Sequence, residues 1–227
     1  MNYKPLLNSY VSAKKMKMET LKHIPDWGQK GMWMWQADDQ KAFNSVQTGE
    51  MQKYMVIDLG PPPDTMGPHL PRYLVPLGLN FGYKLAPFLF YLASKPWLAH
   101  VRHEGIAATL YVDDSMGGHP DRSRALREYE RAKELKTYYG LVLAPDKGSP
   151  SFEAAGLSPV TQQLLHLGLY VNTETDNGLF IVPEEKARRV ASLARHLIVT
   201  ANSNKRWVQS TSLESYVGFL GSLYVAE

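Results

Sequence analysis

Apolar and polar residues alternate with a period of two over "MWMWQAD" (32–38), which predicts a β-strand that ends at Asp38. Successive side chains of a strand point to opposite faces of the sheet. Asp38 is therefore expected to share a face with Gln36, while Trp33 and Trp35 point to the other face. The strand thus carries one carboxylate to its own end.

Further apolar runs, separated by glycine, proline or polar residues, also predict strands. They are "KYMVIDL" (53–59), "RYLVPL" (72–77), "GIAATLYV" (105–112), "LVLAP" (141–145), "LHLGLYV" (165–171) and "GLFIV" (178–182). The Pro-rich stretch "GPPPDTMGPHLP" (60–71) is expected to be the loop of a long hairpin between the first two runs. The polar stretch "NTETDN" (172–177) is expected to join the last two as a second hairpin.

A period near 3.6 predicts helices at 86–103, 121–139 and 183–201, and a last one from 210. Asp121 is placed to cap the start of the second helix, and Gly140 to end it. The apolar stripe of that helix comprises Ala125, Tyr129, Ala132, Leu135 and Tyr139. The order of elements predicts an α+β fold with an antiparallel sheet and helices on one face.

Composition limits the function classes without choosing among them. The 227 residues contain 44% hydrophobic and 21% charged residues, as in ordinary globular proteins. The lack of cysteine excludes disulfides, thiolate zinc sites and cysteine nucleophiles. No run is long enough to span a membrane and no leader is recognisable, so an intracellular protein is expected, in cytoplasm or nucleus. The net charge of +3 is mild, but basic stretches at 1–30 and 186–206 could follow a phosphate backbone or be solvated surface.

The stretch "LYVDDSMGG" (110–118) places Asp113 and Asp114 side by side where an apolar strand reaches a turn. If that strand neighbours the one ending at Asp38, the carboxylates converge at one sheet edge and repel each other. Two Mg²⁺ ions would relieve the repulsion and support phosphoryl or nucleotidyl transfer. Taken alone, an Asp-Asp pair is more often simply a polar turn.

The segments that contain and flank this pair resemble the sequence boxes of reverse transcriptases. "YVDD" (111–114) matches their Y-x-D-D box, and "DDQKAF" (38–43) matches D-x-x-x-A-[FY]. "FGYKLAPFLF" (81–90), "GLVLAPDKG" (140–148) and "LHLGLYV" (165–171) are similar to the three remaining boxes, in the family's order. The resemblance implies a right-hand polymerase palm with partial fingers and the start of a helical thumb.

The resemblance also implies roles for single residues. Asp38, Asp113 and Asp114 would hold two Mg²⁺ ions, with Mn²⁺ as a substitute, and Lys147 would assist the pyrophosphate leaving group. The Asp39 carbonyl is a possible additional ligand, and Phe43 would exclude a ribose 2′-hydroxyl or be a core aromatic only. The remaining nucleotide-binding residues would be Ala42, Gly82, Ala86, Pro87 and Tyr111. Leu167 and Gly168 would grip the primer.

The flanks "LNSYVSAKKMKMETL" (7–21) and "VPEEKARRVASLARHLI" (182–198) narrow the resemblance to DIRS-like retrotransposons, which encode a tyrosine recombinase. The implied division is a fingers remnant at 1–30, a palm at 31–175 and a thumb start at 176–227. Fingers, ribonuclease H and recombinase segments of such a polyprotein are expected to be missing here.

Departures from the family pattern leave a second interpretation of the function open. Asp39 replaces a usually apolar residue, Lys41 a common acid and Asn80 a typical proline. The leading expectation is an RNA-directed DNA polymerase that acts on dNTPs and a primed RNA or DNA template. The alternative is a catalytically impaired or repurposed nucleic-acid-binding remnant of such a domain.

Overall fold

The computed structural model describes residues 7–12, 15–58, 73–144, 158–175, 179–203 and 208–221. The strands are β1 Trp33–Asp38, β2 Ile57–Asp58, β3 Tyr73–Leu74, β4 Ala108–Tyr111, β5 Asp114–His119, β6 Gln163–His166, β7 Leu169–Asn172 and β8 Phe180–Ile181. The α-helices are α1 Ala42–Ser45, α2 Ala86–His103, α3 Arg122–Tyr138, α4 Glu184–Ser203 and α5 Ser210–Gly221. Short 3₁₀ helices lie at Leu7–Ser9, Leu21–His23 and Gly49–Tyr54.

The central sheet is antiparallel, with strand order β1–β5–β4. Helices α2 and α3 pack on it and on each other. The core between the sheet and these helices is built from large side chains, including Trp35, Phe90, Trp97 and Tyr129. The predicted α+β fold, an antiparallel sheet with helices on one face, is confirmed.

The opposite face of the central sheet is also covered. Met34 and Met116 form a second apolar cluster with Leu169 and Val171 of β7 and with residues of the Leu21–His23 turn region. The alternation predicted for β1 is therefore correct, because Trp35 joins the helix side and Met34 the other side. Since Asp38 is four residues after Met34, it belongs to the face covered by β6 and β7.

A glycine in β5 makes the helix-side core possible. Gly117 is the cross-strand partner of Trp35. A Cβ atom at this position would overlap the Trp35 ring and the Ala107 carbonyl oxygen. The indole can pack this closely against β5 only because position 117 lacks a side chain.

The remaining predictions of local structure are largely confirmed. Strands β2 and β3 form the expected antiparallel hairpin, whose loop lies outside the described residues. The Asp121 side chain accepts a hydrogen bond from the Arg124 amide at 2.7 Å, and Gly140 has φ 74°. Within the described ranges, no helix combines the length and apolar character needed to cross a membrane.

Three predicted strands differ from the structure. "KYMVIDL" begins in the 3₁₀ helix Gly49–Tyr54, and only Ile57–Asp58 forms a β-strand. "LHLGLYV" is split by a turn at Leu167 and Gly168, so that β6 and β7 form one hairpin and β8 adds to it. In the described part of "LVLAP", residues 141–144, the pairing is an isolated bridge between Leu143 and Asp39. In all three places tertiary partners decide the outcome, because a short apolar run does not specify where pairing begins or ends.

Candidate active site

A tight turn presents the Asp-Asp pair. Tyr111 and Asp114 face each other across β4 and β5, so Val112 and Asp113 alone form the connection. Val112 has φ 55°, a region that β-branched residues rarely adopt. Such strain costs on the order of 1–3 kcal/mol and is concentrated at functional sites. The half-buried Asp113 therefore lies at the tip of a strained hairpin.

The end of β1 brings the third acid to this hairpin. Asp38 is the direct cross-strand partner of Asp114. The next amide, of Asp39, donates a hydrogen bond to the Asp113 carbonyl oxygen at 3.2 Å. Gln36 Nε2 donates to Asp38 Oδ1 at 3.2 Å, as expected for side chains on one face. The backbone thus joins the three aspartates at one sheet edge.

The side chains are less closely gathered than the backbone. In the described part of the chain, no group of three or more acidic or histidine side chains is close enough to hold a metal ion. Asp38 and Asp114 do line the same cavity, and carboxylate oxygens are the ligands that Mg²⁺ prefers. The donor set fits the metal chemically, and the role of the three acids as ligands stays a prediction.

The cavity beside Asp38 and Asp114 has a volume of about 770 Å³. The β6–β7 hairpin also lines this cavity, through residues that include Leu167, Gly168 and Tyr170. Leu167 and Gly168 have φ 48° and 82°, as in a two-residue hairpin turn of type I′. The two residues predicted to grip a primer therefore line the same cavity as Asp38 and Asp114.

A lysine of α4 contacts this turn. Lys186, in the first turns of α4, donates from Nζ to the Gly168 carbonyl oxygen at 3.3 Å. Partial burial lowers the pKa of Lys186 from its usual value. The hydrogen bond links the start of α4 directly to the predicted primer-grip turn.

The predicted nucleotide-binding residues lie on the elements next to the acids. Ala42 is buried and Phe43 half-buried in α1, which begins four residues after Asp38. The Phe43 ring meets the rings of Phe81 and Phe90 edge-on, at 5.1 and 5.7 Å between centroids. Near the start of α2, Gly82 is exposed, Ala86 is buried and Pro87 is half-buried. Their contact with a nucleotide stays a prediction, and Lys147 lies outside the described residues.

A buried ion pair lies on the helix side of the same strand end. Lys136 Nζ is 2.7 Å from Asp39 Oδ1, and the two side chains are 0% and 1% exposed. Burial raises the pKa of the Asp39 carboxyl and lowers the pKa of the Lys136 ammonium. The charge of each partner opposes the shift of the other. Asp39 thus uses its side chain within the core, on the face opposite to Asp38.

A buried histidine ends β6. His166 is 2% exposed, and its Nδ1 has no hydrogen-bond partner among the described residues. Burial lowers the pKa of His166 from 6.5 to about 4, and the charge of Asp38 opposes this shift. The ring is therefore neutral in the folded chain at pH 7.

We expect His166 to make folding pH-dependent below neutrality. Because its pKa is lower in the folded than in the unfolded chain, its full contribution is present above pH 6.5 and is lost as the pH falls toward 4. The gap between 6.5 and about 4 corresponds to about 3 kcal/mol at most. Urea unfolding at pH 7.5 and pH 4.5 measures the loss, which His166→Leu should reduce. The exposed-site control His103→Leu should leave it unchanged, and equal losses in both variants would contradict the assignment.

Sequence reasoning missed Lys136, His166 and Lys186. A signal existed for Lys136, which is four residues after Ala132 and seven after Tyr129 and thus lies on the apolar stripe of α3. A lysine on an apolar stripe is buried and needs a buried acid as its partner. Asp39 was a candidate for that acid, because it stands where the family pattern usually has an apolar residue. His166 and Lys186 gave no comparable signal, because their surroundings come from distant strands.

Comparison with known proteins supports the fold. No protein-family model matches the chain, and no curated sequence matches it significantly. Its structure is similar to a foamy viral protease-reverse transcriptase in complex with double-stranded DNA, with a TM-score of 0.67 and 16% identity over 98% of this chain and 32% of that one. A complex of the foamy viral enzyme with an RNA/DNA hybrid gives 0.65 and 14% over 98% of this chain and 25% of that one. A further complex with double-stranded DNA gives 0.61 and 14% over 93% and 36%. The chain spans about a third of these neighbours or less, and it shares the fold of their reverse transcriptase part.

Proposed function

We propose that this chain is the RNA-directed DNA polymerase domain of a retroelement, adding dNTPs to a primer 3′-hydroxyl. The observation that carries the proposal is the pairing of Asp38 with Asp114, beside Asp113 at a strained turn and at a cavity that Leu167 and Gly168 also line. The similarity in fold to the reverse transcriptase complexes supports it.

Asp38, Asp113 and Asp114 would hold two Mg²⁺ ions, or Mn²⁺ in their place. When bound, such ions activate an attacking hydroxyl and stabilise the leaving group of an in-line displacement. The chain's own part is to fix the acids through the β1–β5 and β4–β5 register and to orient a primer end with the Lys186-supported turn. Lys147 would assist the leaving pyrophosphate.

The flanks at 7–21 and 182–198 resemble those of DIRS-like retrotransposons, so the proposal extends to an element of that kind. In such an element the domain would work beside fingers, ribonuclease H and tyrosine recombinase segments of one polyprotein. The template would be RNA or DNA, with the basic stretches at 1–30 and 186–206 toward its phosphates.

A primer-extension assay tests the proposal. The chain is incubated with poly(rA)/oligo(dT), dTTP and Mg²⁺, and binding of the same duplex is measured by fluorescence anisotropy. Extension that depends on Mg²⁺ is the expected result. Binding without extension would favour the second candidate, a non-catalytic nucleic-acid-binding domain. The observation in favour of that candidate is that the described acids do not form a ready metal cluster.

We expect Phe43 to discriminate between sugars. Its ring is half-buried and held edge-on by two other phenylalanines, five residues after Asp38, so it is rigid and close to the proposed nucleotide site. Phe43→Ala should raise incorporation of rUTP relative to dTTP by about tenfold or more, because a rigid ring excludes the 2′-hydroxyl by steric overlap. Single-nucleotide incorporation measures the ratio, with the exposed aromatic Tyr138→Ala as the control. An unchanged ratio in Phe43→Ala would make Phe43 a core residue only.

A further inference from the structure

The Lys136 ammonium is enclosed between α3 and the end of β1. Besides Asp39 Oδ1 at 2.7 Å, it donates to the Ala37 carbonyl oxygen at 3.1 Å. It also lies 4.8 Å from the centroid of the Trp97 ring, a favourable cation–π distance. A single cation thus contacts the residues immediately before and after Asp38.

These contacts act on the segment that carries Asp38. Because side chains alternate along a strand, Asp39 points to α3 while Asp38 points to the cavity. The Ala37 carbonyl also accepts a hydrogen bond from the buried Ser115 hydroxyl of β5. The Asp38 carbonyl accepts from the Ala144 amide at 2.9 Å. The cation therefore belongs to a set of bonds that holds the backbone on both sides of Asp38.

Stability alone does not account for this ion pair. Burying two charges carries a desolvation cost that an apolar pair of similar volume avoids. The cost is not fully offset here, since Asp39 Oδ2 is buried without a hydrogen-bond partner among the described residues. The ion pair supplies directional hydrogen bonds from α3 to Ala37 at the end of β1 and to Asp39 just after it. An apolar pair cannot form such bonds.

We propose that Lys136 is a positioning residue that fixes the Asp38 carboxylate at the edge of the cavity through its bonds to Asp39 and Ala37. The inference deepens the proposed function, since it takes Asp38 as a ligand of the catalytic metals. It assigns a role in the site to a residue of α3 that itself faces the core.

Amide hydrogen exchange tests the tie without relying on activity. The variant Asp39→Leu/Lys136→Met replaces the ion pair by an apolar pair. We expect the Asp39 and Ala144 amides to exchange about tenfold faster than in the parent chain, the equivalent of one lost hydrogen bond. The Thr161 amide, which donates to Met34 earlier in the same strand at 2.9 Å, is the internal control and should not change.

A second double variant distinguishes the effect of the hydrogen bonds from the effect of packing. Asp39→Asn/Lys136→Gln keeps a neutral hydrogen-bonding pair of similar volume and should exchange at rates closer to the parent chain. Equal exchange at Asp39 and Ala144 in the parent and both variants would overturn the proposal.

Primer extension gives the functional readout. We expect the apolar double variant to bind the primed template normally and to extend it about tenfold more slowly or worse, because a less fixed ligand weakens transition-state stabilisation. A parent-like extension rate would overturn the positioning role. If the parent chain itself does not extend primers, the proposed function fails, while the exchange rates still decide whether Lys136 holds the strand end.

Discussion

Replacing Asp113 by asparagine is expected to abolish primer extension while leaving binding of the primed template largely intact. The substitution removes one negative charge from the proposed metal ligands and changes no backbone bond of the β4–β5 turn. Metal ions contribute several kcal/mol of transition-state stabilisation. At about 1.4 kcal/mol per tenfold, the rate should fall by roughly three orders of magnitude. The carboxylate is half-buried at the tip of the turn, so the fold should tolerate the amide.

Single-turnover incorporation of one nucleotide measures this rate, and anisotropy measures binding. Asp26→Asn removes an exposed acid from a turn outside the site and serves as the matched control. Extension by Asp113→Asn at a rate similar to that of Asp26→Asn would remove Asp113 from the catalytic groups. Loss of binding together with activity would point to a damaged fold instead.

Lys136→Met is expected to lower the free energy of unfolding by about 3–5 kcal/mol, because it leaves the buried Asp39 carboxylate without its counter-ion. Asp39→Leu should be similarly costly, since it leaves the ammonium uncompensated. The double variant Asp39→Leu/Lys136→Met should recover most of the loss, as apolar pairs often replace buried ion pairs at little cost.

Urea unfolding at pH 7 measures these changes as shifts of the midpoint at constant slope. Lys133→Met is the matched control, because Lys133 lies one turn away and its ion pair with Glu130 is partly exposed. Its cost should stay within about 1 kcal/mol. If the double variant lost as much free energy of unfolding as the two single variants together, Lys136 and Asp39 would not interact energetically.

Local sequence patterns were sufficient for most of the elements. The alternation in "MWMWQAD" placed Asp38 at the end of β1 and on the face of Gln36, which the Gln36–Asp38 hydrogen bond confirms. Capping and glycine signals placed α3 between Asp121 and Gly140. These predictions work because side-chain direction and capping depend on neighbours in the sequence.

Patterns failed where a partner lies far along the chain. The α3 stripe was read through Leu135 and Tyr139 and passed over Lys136, whose partner Asp39 is 97 residues away. The split of "LHLGLYV" at Leu167 and Gly168 follows from pairing of β6 with β7, which an apolar run does not reveal. The lysine that supports this turn, Lys186, comes from α4.

By itself, the sequence determined the strand that ends at Asp38, the strand and turn that carry Asp113 and Asp114, and the apolar stripes that require an antiparallel sheet beneath two helices. Only the tertiary structure decided that Asp38 and Asp114 are direct partners, that Val112 is strained, and that a buried cation ties the residues on either side of Asp38. The physical reason is that periodicity and capping are encoded within a few residues. Register, burial and charge pairing depend on which distant segments exclude water from one another.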